Sequence, residues 1–384
     1  MAASCGSDDG GAVRLRIGTF WVGGAAEALQ NEILQACEGL EIASVEVQSV
    51  GLGTLHERLL TDLSSDPRSD LDMAVVPNDW LGALIERQLI GELPAAHLET
   101  LSARVTTQAL LAVSDRDRPC AYPLQAEALA LVYNPRLLPR EPRTLDDIFA
   151  TRLPAGVVPF SVALANLYHL MPLITSYQGS VTTADGSFAW SAAAAGALFR
   201  SLTPLWSYPG ARSIATAADP ASLHVQLFAE ERLASFVAGP WLVSTLEKVS
   251  PLFAVAPVPP FRDAPHPARA LVGYQSLVVL RRSLWSDLCH TVALRLLDPD
   301  AQLRLSAATS RLPVLGDPVA SGVALSTPLS LGFWRAVESG TPMPSSSRWE
   351  HSFRSADERL RAVLRTRPPD SPAQIVADLF GEAP

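Results

Sequence analysis

Lysine is almost missing: Lys248 is the only one among the 30 basic residues of this 384-residue chain. Cysteine is scarce too. Cys5, Cys37, Cys120 and Cys289 lie far apart at no metal-ligand spacing, so they build no local metal site. Pairing of Cys120 with Cys289 is left open, and Cys37 falls on the apolar stripe of a predicted helix, where a buried thiol acts as a small hydrophobe. No stretch approaches the roughly 20 apolar residues needed to span a bilayer. The histidines, at 56, 97, 169, 224, 266, 290 and 351, form no local pair at ligand spacing. No phosphate-loop signature and no nucleophile-elbow pentapeptide occur. The carboxylate pairs Asp8-Asp9 and Asp146-Asp147 sit in a polar tail and at a helix start, where solvation and the helix dipole account for them. Nothing here argues for an enzyme.

Charge narrows the choice further. With 39 acidic residues against 30 basic, the net charge is −9 and the pI near 5.3. Such a surface repels phosphate backbones and anionic lipid, so no nucleic-acid partner is expected. Gly51-Leu52-Gly53 follows a strand and precedes a helix, which invites a dinucleotide-dependent α/β enzyme as an alternative. His56 replaces the third glycine of that fingerprint, and the turn follows the second strand rather than the first. No cofactor is therefore expected.

What is present suits a large globular protein. The chain is longer than one core usually sustains, so two lobes are expected. The pattern predicts strands at 14–22, 41–50 and 72–76, with helices between them and at 80–88. This β-α-β-α-β order implies a parallel sheet flanked by helices. An apolar extended run at 119–133 is interrupted by one carboxylate, Glu127, which needs a partner if buried. Thr144 opens a helix, further helices are predicted at 191–202, 223–229, 284–297 and 355–365, and strands at 253–258 and 271–280.

Several segments, in order, resemble the maltose-binding branch of the solute-binding proteins of ABC importers. The first is Asp72-Met73-Ala74-Val75-Val76-Pro77-Asn78-Asp79, leading through Trp80-Leu81-Gly82 to Gln88-Leu89-Ile90-Gly91. The strongest runs from Ala121-Tyr122-Pro123-Leu124-Gln125-Ala126-Glu127 to Val132-Tyr133-Asn134 and on to Asp146-Asp147-Ile148. Phe228 with Gly239-Pro240-Trp241 follows, then the weaker Val272-Gly273 and Gly340-Thr341-Pro342-Met343-Pro344. The similarity spans roughly 14–364.

The resemblance implies an α/β fold of the two-lobed periplasmic-binding-protein type (type II-like), hinged, with ligand held in the cleft between lobes. Its implied boundaries are a tail at 1–11, a first lobe of 12–125 plus 274–324, and a second lobe of 126–273 plus 325–384. Function would be capture of a carbohydrate or other small solute, closure, and delivery to membrane permease subunits of an ABC transporter, by a monomer. A receptor's sensor module is the alternative role. Asp79 matches a loop carboxylate that accepts from sugar hydroxyls, and Glu127 the hinge carboxylate. Asp79 as a plain N-cap of the following helix is the competing reading. Tyr168, Trp241 and Phe353 match cleft aromatics, with Trp349 a neighbour able to substitute for Phe353. Trp21 and Trp80 are further cleft candidates, each at a strand end or its following loop. Where the maltose binder carries an Asp-Lys pair, this chain has Gly23-Gly24-Ala25-Ala26, so maltose itself is not assumed. Ala2-Ala3-Ser4-Cys5-Gly6, followed by a polar run, resembles a lipoprotein processing site with lipid on Cys5, which would place the protein outside the cytoplasm, periplasmic or anchored at the cell surface.

Overall fold

Alternating apolar side chains make Val13–Thr19 (β1) a strand, with Leu15 and Ile17 fully buried. The computed structural model describes residues 13–62, 71–250, 252–316, 327–366 and 371–381. Ile42–Ser49 (β2) follows the helix Gly24–Ala36 and lies at the sheet edge, half-exposed. Met73–Pro77 (β3) is buried along nearly its whole length. A hairpin of Ser114–Asp115 (β4) and Arg118–Pro119 (β5) precedes Tyr122–Glu127 (β6) and Ala130–Tyr133 (β7). Then come Ser235–Ala238 (β8), Ala254–Ala256 (β9), Leu271–Val279 (β10), Leu312–Pro313 (β11) and Thr341–Pro342 (β12).

These strands form two principal sheets. The larger has the order β11-β6-β10-β3-β1-β2, with β12 paired to β10. β1 is parallel to β2 and β3, while β10 runs antiparallel to both β3 and β6. β1, β3 and β6 therefore all point the same way. The second sheet is β8-β7-β9, all antiparallel. The chain passes from one sheet to the other between Glu127 and Ala130, within the single apolar run seen in the sequence. β10 is buried at all nine positions, as expected of a central strand covered on both faces.

The expected strands and helices are found with shifts of a few residues at their ends. The helix expected at 355–365 begins earlier, as Ser347–Thr366. Thr144 caps Leu145–Ala150 in a capping box with Asp147. Cys37, Cys120 and Cys289 are all free and buried, so Cys120 and Cys289 do not pair. Cys5 lies outside the described residues.

Two glycines fix close approaches within the fold. A Cβ at Gly82 would lie 2.2 Å from the Ser347 amide nitrogen, and Gly82 N–H donates to the Ser345 carbonyl at 2.8 Å. Helix Leu81–Glu86 thus presses directly on the start of Ser347–Thr366. At Gly239 a Cβ would meet Trp241 ring carbons at 2.1 Å, so the indole folds back over the glycine.

Candidate functional site

The carboxyl ends of β1, β3 and β6 lead to Trp21, Asp79 with Trp80, and Glu127 respectively. Crevices at the carboxyl ends of sheet strands are where ligands bind in open α/β sheets. Between them lies the amino half of β10, in register Gly273↔Glu127 and Gln275↔Pro77. The amino end of β11 adds Arg311 beside β6.

Glu127 has the partners its apolar setting requires. Arg311 Nε donates to Glu127 Oε2 at 2.5 Å, and Gln275 Nε2 donates to Oε1 at 2.9 Å. The Arg311 guanidinium also sits over the Trp21 ring, 5.3 Å from its centroid. Trp21 is buried, and its own amide donates to Thr19 Oγ1 at 3.1 Å.

Asn78, fully buried, holds the next loop. Its Oδ1 accepts from Tyr274 N–H at 2.9 Å and its Nδ2 donates to the Met343 carbonyl at 2.9 Å. That clamp presents Asp79 towards the hinge strands. Asp79 makes no capping bond to the following helix, which removes the N-cap reading. Its Oδ1 is out of solvent with no hydrogen-bond partner among the described residues. Burial pushes its carboxyl up to about 7, helped by the charges of Glu350 and Glu127 and opposed by its own backbone amide and His56. Tyr168, in helix Leu167–Gln178, feels the same groups. Burial first, then Glu127 and Asp79, hold its hydroxyl well above its usual range, with Arg311 opposing. Beside it, burial lowers His169 to about 4, and its Nδ1 is unpartnered.

Trp80 is buried against the edge of His56, ring centroids 4.6 Å apart, and tilts towards Phe20 at 6.5 Å. His56 in turn meets Glu350 at 2.8 Å. Trp349, 1 % exposed, stacks on Phe353 at 5.6 Å, and Phe188 meets both edge-on at 5.4 and 5.2 Å. Trp241 is half-buried beyond β8, whose Ala238 pairs with Ala130 near the crossing. Trp21, Asp79, Glu127 and Tyr168 thus converge, with Trp80 adjoining, and Trp349 and Phe353 form an aromatic cluster with Phe188 on the helix that carries Glu350.

Arg311, Gln275, His56 and Glu350 did not emerge from the sequence. Glu127 announced the need for a partner, but nothing local identified residues 148 and 184 positions away. Gly51 has an ordinary φ of −61°, and a Cβ at Gly53 would meet nothing within 4 Å, so neither glycine is demanded by a phosphate cradle. Among the described residues no group of three or more His, Cys, Asp or Glu side chains is arranged to hold a metal, and no helix is long and apolar enough to cross a membrane. A cavity of about 620 Å³ lies elsewhere, lined by Leu138, Arg140, Asp147 and neighbours; no aromatic ring lines it. A smaller one, about 300 Å³, reaches Arg311 from the side of Ser306, Ser310 and Phe333.

Residues 31–324 match the bacterial extracellular solute-binding protein family. A maltotriose-binding protein of Pyrococcus abyssi is 21% identical over 291 residues, covering 72% of this chain and 62% of the relative. The chain thus spans less than two thirds of that curated relative. Among solved structures, the GacH receptor of Streptomyces glaucescens superposes with a TM-score of 0.82 at 16% identity, over 96% of each chain. The maltose-maltodextrin binding protein of Alicyclobacillus acidocaldarius gives 0.76 at 18% identity, over 95% of this chain and 99% of its own. The fold is accordingly the two-lobed one of the maltose-binding proteins. With the match running through the hinge crossing and both sides of the site, this chain is a member of the bacterial extracellular solute-binding proteins.

Proposed function

We propose that the protein captures an oligosaccharide between its two lobes and hands it to the membrane subunits of an ABC importer. The observation that carries this reading is the set of buried polar atoms without partners among the described residues near the strand ends: Asp79 Oδ1, Gln275 Oε1 and Trp21 Nε1. A buried polar atom left unpaired costs about 1–3 kcal/mol, so such groups are kept where a ligand satisfies them. Sugar hydroxyls both donate and accept, and their apolar ring faces suit aromatic walls. The relatives support the class: one binds maltotriose, and the GacH receptor has been seen with acarbose.

In this reading the lobes are 12–125 with 274–324 and 126–273 with 325–384, because the sheets exchange chain at the Glu127–Ala130 step. Capture is a hinge closure in which ligand contacts from both lobes stabilise the closed form. Trp241 and Tyr168 face the ligand from the second lobe, Asp79 from the first, and Glu127 from the crossing between them. The protein acts as a monomer outside the cytoplasm, tethered by lipid on Cys5. Isothermal titration with linear maltooligosaccharides and other oligosaccharides tests the class, and loss of binding in Glu127→Ala ties it to this site. Tight binding that survives that substitution would place the ligand elsewhere.

A further inference from the structure

Three carboxylates share the proposed site, and the basic groups beside them are engaged by two of the three. Asp79, Glu127 and Glu350 are close enough for the latter two to act on the first. Arg311 is committed to Glu127 at 2.5 Å and to the Trp21 face. His56 is committed to Glu350 at 2.8 Å, and Arg354 lies 3.8 Å from the same oxygen. Asp79 alone has no cation in contact among the described residues, and its Oδ1 is enclosed and unpartnered. Two more enclosed polar groups accompany it: Trp21 is 3% exposed and Gln275 is 2% exposed, and the Trp21 indole N–H and Gln275 Oε1 have no partner among the described residues.

We propose that the site selects a saccharide bearing an ammonium group, with that group paired to Asp79. The inference rests on the carbohydrate reading above and narrows it. An ammonium donates a charge-assisted hydrogen bond to the carboxylate and gives Asp79 a counter-ion of its own. A plain hydroxyl leaves a desolvated charge uncompensated, or requires Asp79 to hold a proton. Gln275 Oε1 accepts from a second N–H or O–H, and the Trp21 N–H donates to a sugar oxygen. The chain's net charge of −9 favours approach of a cation over a neutral competitor.

Titration calorimetry on the full chain at pH 7 tests this, using 1,4-linked trimers of glucose, glucosamine and N-acetylglucosamine and a 6-amino-6-deoxy maltotriose. At least one aminated trimer should bind tenfold or more tightly than its hydroxyl parent. That advantage should shrink at high salt and fall below twofold in Asp79→Asn. Should Asp79→Asn fail to fold, judged by its melting curve, the salt dependence and the acetylated control in the unaltered protein decide instead. An acetylated trimer that matches the aminated one overturns the inference, because charge is then not what is read. A glucose trimer binding as tightly as every aminated form also overturns it, yet leaves the carbohydrate reading standing. No binding by any saccharide removes both.

Discussion

Arg311 and Glu127 form an ion pair at 2.5 Å with side chains only 8% and 12% exposed, and the pair ties the last strand of the large sheet to the hinge crossing. Both are largely buried, so water compensates poorly for the loss of either partner. Removing one charge should therefore be costly: Glu127→Gln should destabilise folding by about 3 kcal/mol, whereas replacing both by apolar residues should cost less. Denaturant unfolding of the single and double variants measures the difference. A double-variant loss equal to the sum of the two single losses would mean that the pair is not energetically coupled.

Asp79 sets a pH dependence whose sign follows from its burial. In the unfolded chain an Asp titrates near 4, and here it titrates at about 7. Between those values the folded state holds more protons than the unfolded one, so stability falls as pH rises through that window and levels off above it. Asp79→Asn removes this loss. Its melting temperature should exceed that of the unaltered protein by about 2 °C or more at pH 8, with no gain at pH 3. An equal gain at both pH values would contradict the assignment to Asp79 ionisation.

Trp241 and Gly239 act as one unit. Trp241→Ala should weaken ligand binding by about 2 kcal/mol or more without unfolding the chain, as for a central aromatic anchor. Gly239→Ala should reproduce much of that loss, because its Cβ would occupy the space of the indole ring, 2.1 Å from its carbons. Unchanged affinity in both variants would remove Trp241 from the site.

Trp349 is expected to behave differently. Enclosed by Phe188 and Phe353 and 1% exposed, it should cost about 3–5 kcal/mol in folding stability when cut to Ala. Phe353, half-buried on the same helix, should cost less stability. Urea unfolding separates the two. A Trp349→Ala variant of normal stability would contradict its place in the core.

The sequence made the frame legible where one property repeats over several residues. β1, β3 and β10 show as apolar runs, and Thr144 with Asp147 shows as a helix start, because strand alternation and capping are local. Helices Pro299–Thr309 and Pro328–Ser339 escaped, although Asp298 and Thr327 cap them. Their proline starts read as loop until the chain is seen to continue. Of the proposed site, Asp79, Glu127 and Tyr168 were expected from resemblance to a family, and Glu127 also drew notice through its isolation in an apolar run. Arg311, Gln275, His56 and Glu350 were not, because each enters through contacts between segments far apart in the chain.

Saccharide binding by this chain is best tested by a thermal-melting screen against oligosaccharides, polyols, amino acids and nucleotides. A ligand at about 100 times its dissociation constant adds roughly 2.7 kcal/mol to folded-state stability, a clear rise in melting temperature. That rise is expected with one or more oligosaccharides and is expected to be lost in Glu127→Ala. A rise with a nucleotide, with every saccharide silent, would contradict saccharide binding.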